Sequence, residues 1–377
     1  MHLFVRTLYM LTVMIMTAMM MLFVLLCTPD LHTRLAERPQ YQQREPNYGR
    51  MVVHSLDNPG IYVAKGPQHD DKAEVAGPIH SVKREVSWDY NGNNTGYLKV
   101  IWDYGRPQHD PWVGSPGCAG LKVSFARRRT LPRTALASFP GSGNTWLRFL
   151  IQSVSGIFTG SVYNDRQLAA KGFYGENEMP ECGCTSIVKT HGYCLVGLPQ
   201  TRWQRVRDVE KFFGRGLLLV RNPYDAIIAY RNYLAAGHLG VASRSAYSGT
   251  EWHRFVRGQI EIWRSYALDW IQMGRSSMIV HYEHLIEDTH REMLRIMKFL
   301  RLRVDEQRLD CTLKHNDGSF KRNTPNHIFY RLHDPFTPEL HGIVEAAIDD
   351  VNDALEIRKW PQLPKHLYNY HEVSNTT

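Results

Sequence analysis

The run ALASFPGSGNTWLRFL at residues 135–150 constrains the chain more than any other stretch. A short apolar segment runs into Pro140-Gly141-Ser142-Gly143 and then into residues with helical spacing. Glycines there let successive backbone N–H groups converge, and the first turn of a helix adds its own unpaired amides and positive dipole end. Strand, glycine turn and helix in that order make a cradle for a phosphate or a similar anion. A nucleoside-triphosphatase would set a lysine on that anion, yet Asn144 stands at the lysine position. Either the anion differs or other cations hold it.

From about residue 131 onward the pattern is regular. Short apolar runs recur at ALASF, SIVKT, GLLLVR and SMIVHYE, separated by stretches of helical period. Trp146, Phe149, Leu150 and Val154 fall on one helical face; Trp252, Phe255, Ile262, Tyr266 and Trp270 make a second stripe, and Leu340, Ile343, Val344, Ala347, Val351 and Leu355 a third. Strands alternating with such helices predict an α/β fold over 131–377: a P-loop-like parallel sheet flanked by helices, with ligands at the carboxyl ends of the strands. The GLLLV strand ends in Arg221-Asn222-Pro223, where a phosphate-transferring enzyme would place a metal-binding acid. A cation at that strand end points to a second anion site and away from a nucleotide kinase.

These residues resemble the sulfotransferases that use 3′-phosphoadenylyl sulfate (PAPS), whose loop typically reads Pro-Lys/Arg-Ser-Gly-Thr-Thr-Trp. The resemblance implies that Ser142, Gly143, Asn144 and Thr145 bind the donor's 5′-phosphosulfate and that Trp146 contacts its adenine. IVKTHGY is similar to the family's Lys-Thr-His segment, which likens His191 to the catalytic base and Lys189 to the lysine on the sulfuryl group. LVRNPYDAIIAY resembles the strand that holds the 3′-phosphate and carries over Arg221; VHYEHL carries over Tyr282. In DGSFKRN, Phe320 is a candidate to face the adenine, with Lys321 and Arg322 as candidate phosphate cations or as a solvated basic turn. The whole catalytic stretch is similar to that of the WSC-domain-containing sulfotransferases, type II Golgi proteins linked to sulfation of sialic acids. The cysteine-rich pattern of a WSC domain is absent from the preceding segment, so only the catalytic half corresponds.

The chemistry agrees with the resemblance. A sulfuryl group passing in line from a phosphosulfate to a hydroxyl needs a base for the acceptor proton and cations where charge develops. His191 and Lys189, two apart at a strand end, share a face. No metal is expected, because a sulfuryl group carries less charge than a phosphoryl group. Two departures stand out: Gly141 replaces the loop lysine or arginine, and Ala229 stands where cytosolic members place a serine on the 3′-phosphate. A PAPS-binding protein without transfer activity, acting as a scaffold, is the alternative they leave open. Cys182, Cys184, His191 and Cys194 have zinc-ligand types, although a disulfide among the cysteines suits an oxidising compartment better. The metal motif of many Golgi glycosyltransferases, Asp-x-Asp, has no counterpart; Asp208-Val209-Glu210 reads as a helical surface.

The N-terminal segment sets the compartment. Residues 8–27 are apolar apart from Thr12 and Thr17, about the 20 residues that a membrane-crossing helix needs. No small-x-small cleavage site follows, so a retained signal-anchor is expected, with residues 1–7 as a cytoplasmic tail. Sequons at Asn93 and Asn375 favour a lumenal body, and the expected setting is a single-pass type II protein of the Golgi membrane. Residues 28–130, rich in Pro, Gly, His and Asn, read as a partly disordered stem, with a small hairpin around VSWDYNGNNTGYLKVIWDYG. Outside the membrane segment lie Cys118, Cys182, Cys184, Cys194 and Cys311, an odd set that leaves at least one thiol unbridged within the chain. The 45 basic against 37 acidic residues give a net charge of +8, which suits an anionic donor and a glycan acceptor; no nucleic-acid partner is expected. Arg127-Arg128-Arg129 with Arg133 reads either as a site for an acidic acceptor or membrane surface, or as solvated charge. The glycine- and serine-rich stretch around His238 and Gly240 is long enough for an acceptor-site lid.

Overall fold

All four apolar runs become strands. In the computed structural model, which describes residues 96–199, 201–318 and 334–368, they are β3 (Ala135–Ser138), β5 (Val188–Thr190), β6 (Arg215–Val220) and β7 (Ser276–His281). A fifth strand, β4 (Gly160–Ser161), is too short to carry a readable pattern. The sheet is parallel throughout, in the order β4-β5-β3-β6-β7. The glycine turn therefore leaves the middle strand, with the Lys-Thr-His strand on one side and the arginine strand on the other. β3 is buried along its whole length because helices cover both faces of the sheet, and hence its residues are continuously apolar apart from Ser138.

One face is covered by α1 (Asn144–Ser155), whose Leu147, Leu150, Ile151 and Val154 pack in a cluster with Met293, Ile296 and Leu309. The other face is covered by α4 (Pro223–Ala236), α5 (Gly249–Met273) and α9 (Pro338–Arg358), whose stripes include Trp252, Trp263, Trp270, Leu340, Val344 and Val351. The stripe of α1 is rotated from the sequence expectation. Trp146 and Phe149 are only partly buried, since the first turn of α1 borders the ligand crevice and Trp146 packs on side chains there.

Residues 96–130, expected to be the end of the stem, pack on the catalytic sheet as part of the same folded unit. β1 (Trp102–Asp103) pairs antiparallel with β2 (Phe125–Ala126), and Trp112, Val123 and Phe125 are buried. A disulfide joins Cys118 to Cys311 on α8 (Glu306–Lys314), 193 residues away. Trp102 of the expected hairpin thus finds its partner at Ala126; the first half of that hairpin lies outside the described residues. So do the apolar segment 8–27, the sequons at Asn93 and Asn375, and Phe320, Lys321 and Arg322. Among the described residues no helix is long and apolar enough to cross a membrane.

Candidate active site

The turn after β3 is built on two left-handed glycines, Gly141 (φ +84°) and Gly143 (φ +89°). Neither tolerates a side chain. A Cβ on Gly141 would lie 2.3 Å from the carbonyl oxygen of Ala226, and one on Gly143 would lie 2.5 Å from the Tyr282 ring. The absence of a loop lysine at 141 therefore has a steric cause: the turn is pressed against α4, beside Ala229, too closely for any residue but glycine. Gly143 then caps α1, whose first N–H groups have no partners within the helix. Ser142 Oγ is buried there with no hydrogen-bond partner among the described residues, as expected of a group awaiting a ligand. Asn144, expected to touch the donor, turns its side chain the other way. Its Nδ2 donates to the Leu136 carbonyl and to Ser138 Oγ, so what it can offer an anion is its backbone amide.

Arg221, at the end of β6, closes the turn from one side. Its guanidinium lies 4.4 Å over the Tyr282 ring and donates to the Gly141 carbonyl at 2.9 Å. Tyr282 in turn meets Trp146 edge-on at 5.6 Å, while the Trp146 indole donates to the Asn316 carbonyl. Glycine turn, arginine, tyrosine and tryptophan form one contiguous wall. Sequence reasoning missed the brace behind it: Glu283, held above the usual carboxylate range by burial, accepts from the Asn222 amide at 2.8 Å and ties the end of β7 to the end of β6. Its only signal was its place directly after Tyr282.

On the opposite side of β3, the end of β5 presents Lys189 and His191, both buried. His191 Nδ1 lies 2.8 Å from the Ser138 carbonyl, which can only accept, so Nδ1 carries the proton and Nε2 the lone pair. Its backbone N–H donates to the Tyr163 hydroxyl at 2.9 Å. Burial, then the charge of Lys189, push the imidazole down to about 3, so it is neutral over the physiological range. Burial likewise brings Lys189 down to about 8, opposed by Glu176. Lys189 is thus mostly charged at neutral pH, beside a neutral base.

The turn that carries His191 is fixed from below. Thr190 Oγ1 accepts from the Gly192 amide and donates to Asp208 at 2.8 Å, and Tyr266 donates to the other Asp208 oxygen at 2.6 Å. Asp208, on α3 (Arg202–Lys211), is therefore turned toward the sheet, unlike the surface residue its sequence suggested. A cavity of about 780 Å³ opens beside this turn. Thr190, Gly192, Tyr163, Tyr193 and one face of α3 line it. His238, in the stretch read as a lid, reaches Asp165 at 2.8 Å. Cys182 and Cys184 are joined to each other, which removes two ligands from the zinc alternative, and Cys194 is a buried free thiol.

A WSCD family member of Drosophila melanogaster is 37% identical over 313 residues, covering 79% of this chain and 89% of that protein. The chain belongs to the WSCD family. A WSCD relative in Drosophila pseudoobscura pseudoobscura is 38% identical over 231 residues, 59% of this chain; the match spans 66% of that relative's length. The 79% share exceeds what residues 131–377 make up, so the correspondence is not confined to the catalytic half. That fits the packing of residues 96–130 on the sheet. Residues 215–332 of this WSCD protein match the family described as sulfotransferase domain, and its catalytic unit is a sulfotransferase domain. Human sulfotransferase 1E1 is 22% identical over 216 residues, 53% of this chain and 69% of that one. The crystal structure of mouse sulfotransferase SULT7A1 complexed with PAP covers 63% of this chain and 89% of that one, with 16% identity and a TM-score of 0.40.

Proposed function

We propose that this protein transfers a sulfuryl group from PAPS to a hydroxyl of a glycan, with sialic acid as the acceptor sugar. The observation that carries the proposal is the hydrogen bond from His191 Nδ1 to the Ser138 carbonyl, which leaves Nε2 as a proton acceptor at the root of the glycine turn. In this reading Ser142 and the amides of Gly143, Asn144 and Thr145 hold the 5′-phosphosulfate. Arg221 holds the 3′-phosphate, Trp146 and Tyr282 flank the adenine, and Phe320, Lys321 and Arg322 complete that end. The acceptor hydroxyl gives its proton to His191 Nε2 as its oxygen bonds to sulfur. The bond from sulfur to the phosphate oxygen breaks, and that oxygen keeps the electron pair as adenosine 3′,5′-bisphosphate leaves. Lys189 neutralises the charge that grows on the sulfuryl and bridging oxygens. Negative charge on the bound donor also lifts the imidazole pKa, making His191 a stronger base in the complex than in the free protein.

The same reading places the protein in the Golgi membrane as a single-pass type II enzyme, anchored through residues 8–27 with its catalytic domain in the lumen. Full-length protein, incubated with radiolabelled PAPS and a panel of sialylated, desialylated and neutral glycans, tests the function. Label on sialylated material alone is the expected result. Label on none, with retention on immobilised adenosine 3′,5′-bisphosphate, would establish a donor-binding scaffold instead.

A further inference from the structure

Exposed apolar side chains gather at the rim of the cavity beside α3, and the transfer chemistry uses none of them. Met179, Val196 and Leu198 line it, and Val196 is 77% exposed. Trp203, 65% exposed, stands four residues before Arg207 on the outward face of α3, and Arg207 lines the same cavity. Phe213, just past the end of α3, is exposed with the Arg133 guanidinium over its ring. Cations edge this patch. Arg128 pairs with Glu178, next in sequence to Met179, and the Arg129 amide donates to the Cys182 carbonyl at 2.8 Å, so the Arg127-Arg128-Arg129 run adjoins the rim. Arg127, Arg129, Arg202 and Arg207 are exposed and form no ion pair with a described residue. The acids nearby are mostly engaged. Glu178 and Glu181 pair with arginines, Asp208 accepts from Thr190 and Tyr266, and Glu210 stands exposed on α3.

We infer that this face docks the folded domain on an anionic membrane surface, with Trp203, Val196 and Leu198 entering the headgroup region and the arginines around them meeting lipid phosphates and carboxylates. A clustered apolar patch edged by polar groups marks an interaction surface. Tryptophan and arginine suit a bilayer boundary, since each pairs an apolar body with a polar tip. Attraction to an anionic leaflet adds with each basic side chain that reaches it, and the unpaired arginines supply that term. A second copy of the chain fits worse, because the same positive face on both partners repels. The inference goes beyond sulfuryl transfer and relies on the proposed anchor at residues 8–27 only to keep a bilayer within reach. Tethered in that way, a weak contact is enough to hold the domain down, because the second contact becomes intramolecular.

The test uses full-length protein in lipid nanodiscs, of phosphatidylcholine alone or mixed with phosphatidylserine, with a spin label on one introduced cysteine in a Cys27→Ser background. Val196→Cys reports on the patch, and Met16→Cys reports on the anchor. Leu294→Cys, on α7 (Thr289–Leu300), which packs with α1 on the other face of the sheet, is the control. Relaxation by oxygen against a water-soluble nickel chelate measures how far each label is shielded from water. In anionic discs the label at 196 is expected to be shielded and the label at 294 open to the chelate. Arg202→Ala with Arg207→Ala should lower the ratio of docked to free domain by about 10- to 100-fold, the effect of two basic side chains at an anionic surface. A label at 196 that stays open in anionic discs, or is shielded equally in neutral ones, overturns the docking face. Shielding found only in discs that hold two chains overturns it in favour of a self-interface. The label at 16 keeps the two ideas apart: shielded at 16 and open at 196 upholds the anchor and sinks the docking face, and the reverse sinks the anchor alone.

Discussion

The two sides of β3 are built by different means. On the glycine-turn side the groups on offer are mainly backbone: a turn shaped by Gly141 and Gly143, the amide end of α1, and one arginine braced by Tyr282. On the His191 side the groups on offer are side chains, Lys189 and His191 buried at the end of β5, with a cavity beside their turn lined by Tyr163, Tyr193 and α3. A backbone cradle fixes a shape and recognises the invariant part of the chemistry, the anionic donor. A side-chain cavity can change its selectivity by substitution without disturbing the fold. On the proposed function, the glycine-turn side serves the donor and the His191 side the acceptor.

The sharpest way to break that contrast is to remove the cation beside the glycine turn. Arg221→Ala should raise the KM for PAPS by about 10- to 100-fold, the range for a charged hydrogen bond, while leaving acceptor preference intact. Steady-state kinetics with both substrates varied would check this, and a loss of acceptor preference in that variant would merge the two sides into one. The next effect is pH dependence. Lys189 loses its proton as pH rises through about 8, and His191 gains one only as pH falls toward about 3. The kcat/KM for PAPS should thus be level between about pH 5 and 7 and fall about tenfold by pH 9. A rise between pH 6 and 7, the mark of an ordinary histidine, would contradict the buried neutral base. The smallest effect on activity belongs to the Cys118–Cys311 bridge. Cys311→Ser should lower Tm by roughly 5–15 °C and leave transfer unchanged at 25 °C, because the bridge ties residues 96–130 to α8 and involves none of the side chains proposed to meet the substrates.

How much of this was readable follows the same division. The strands were legible because both faces of the sheet are covered, so GLLLV and its neighbours are continuously apolar. The glycine turn was legible because a left-handed turn requires glycine. β4 escaped, since two residues carry no period, and residues 96–130 escaped because their order comes from a disulfide and scattered buried aromatics. Side-chain direction was the hardest to read. Asn144 sits in the donor turn yet points into β3, and Asp208 sits on a polar helix yet braces the catalytic turn. Both choices are settled by partners more than five residues away in sequence, which local pattern does not encode. Gly141 looked like a missing cation and is instead the residue that lets the turn approach Ala226.

The central claim is that the glycine turn and Arg221 bind the donor while His191, across β3, acts on the acceptor proton. Its most direct test is His191→Ala, measured for equilibrium binding of adenosine 3′,5′-bisphosphate and for single-turnover sulfuryl transfer. Binding should stay within about twofold while transfer drops by about 10²–10⁴-fold, the span of general-base catalysis. Transfer at the wild-type rate, or binding lost together with transfer in a folded variant, would contradict it.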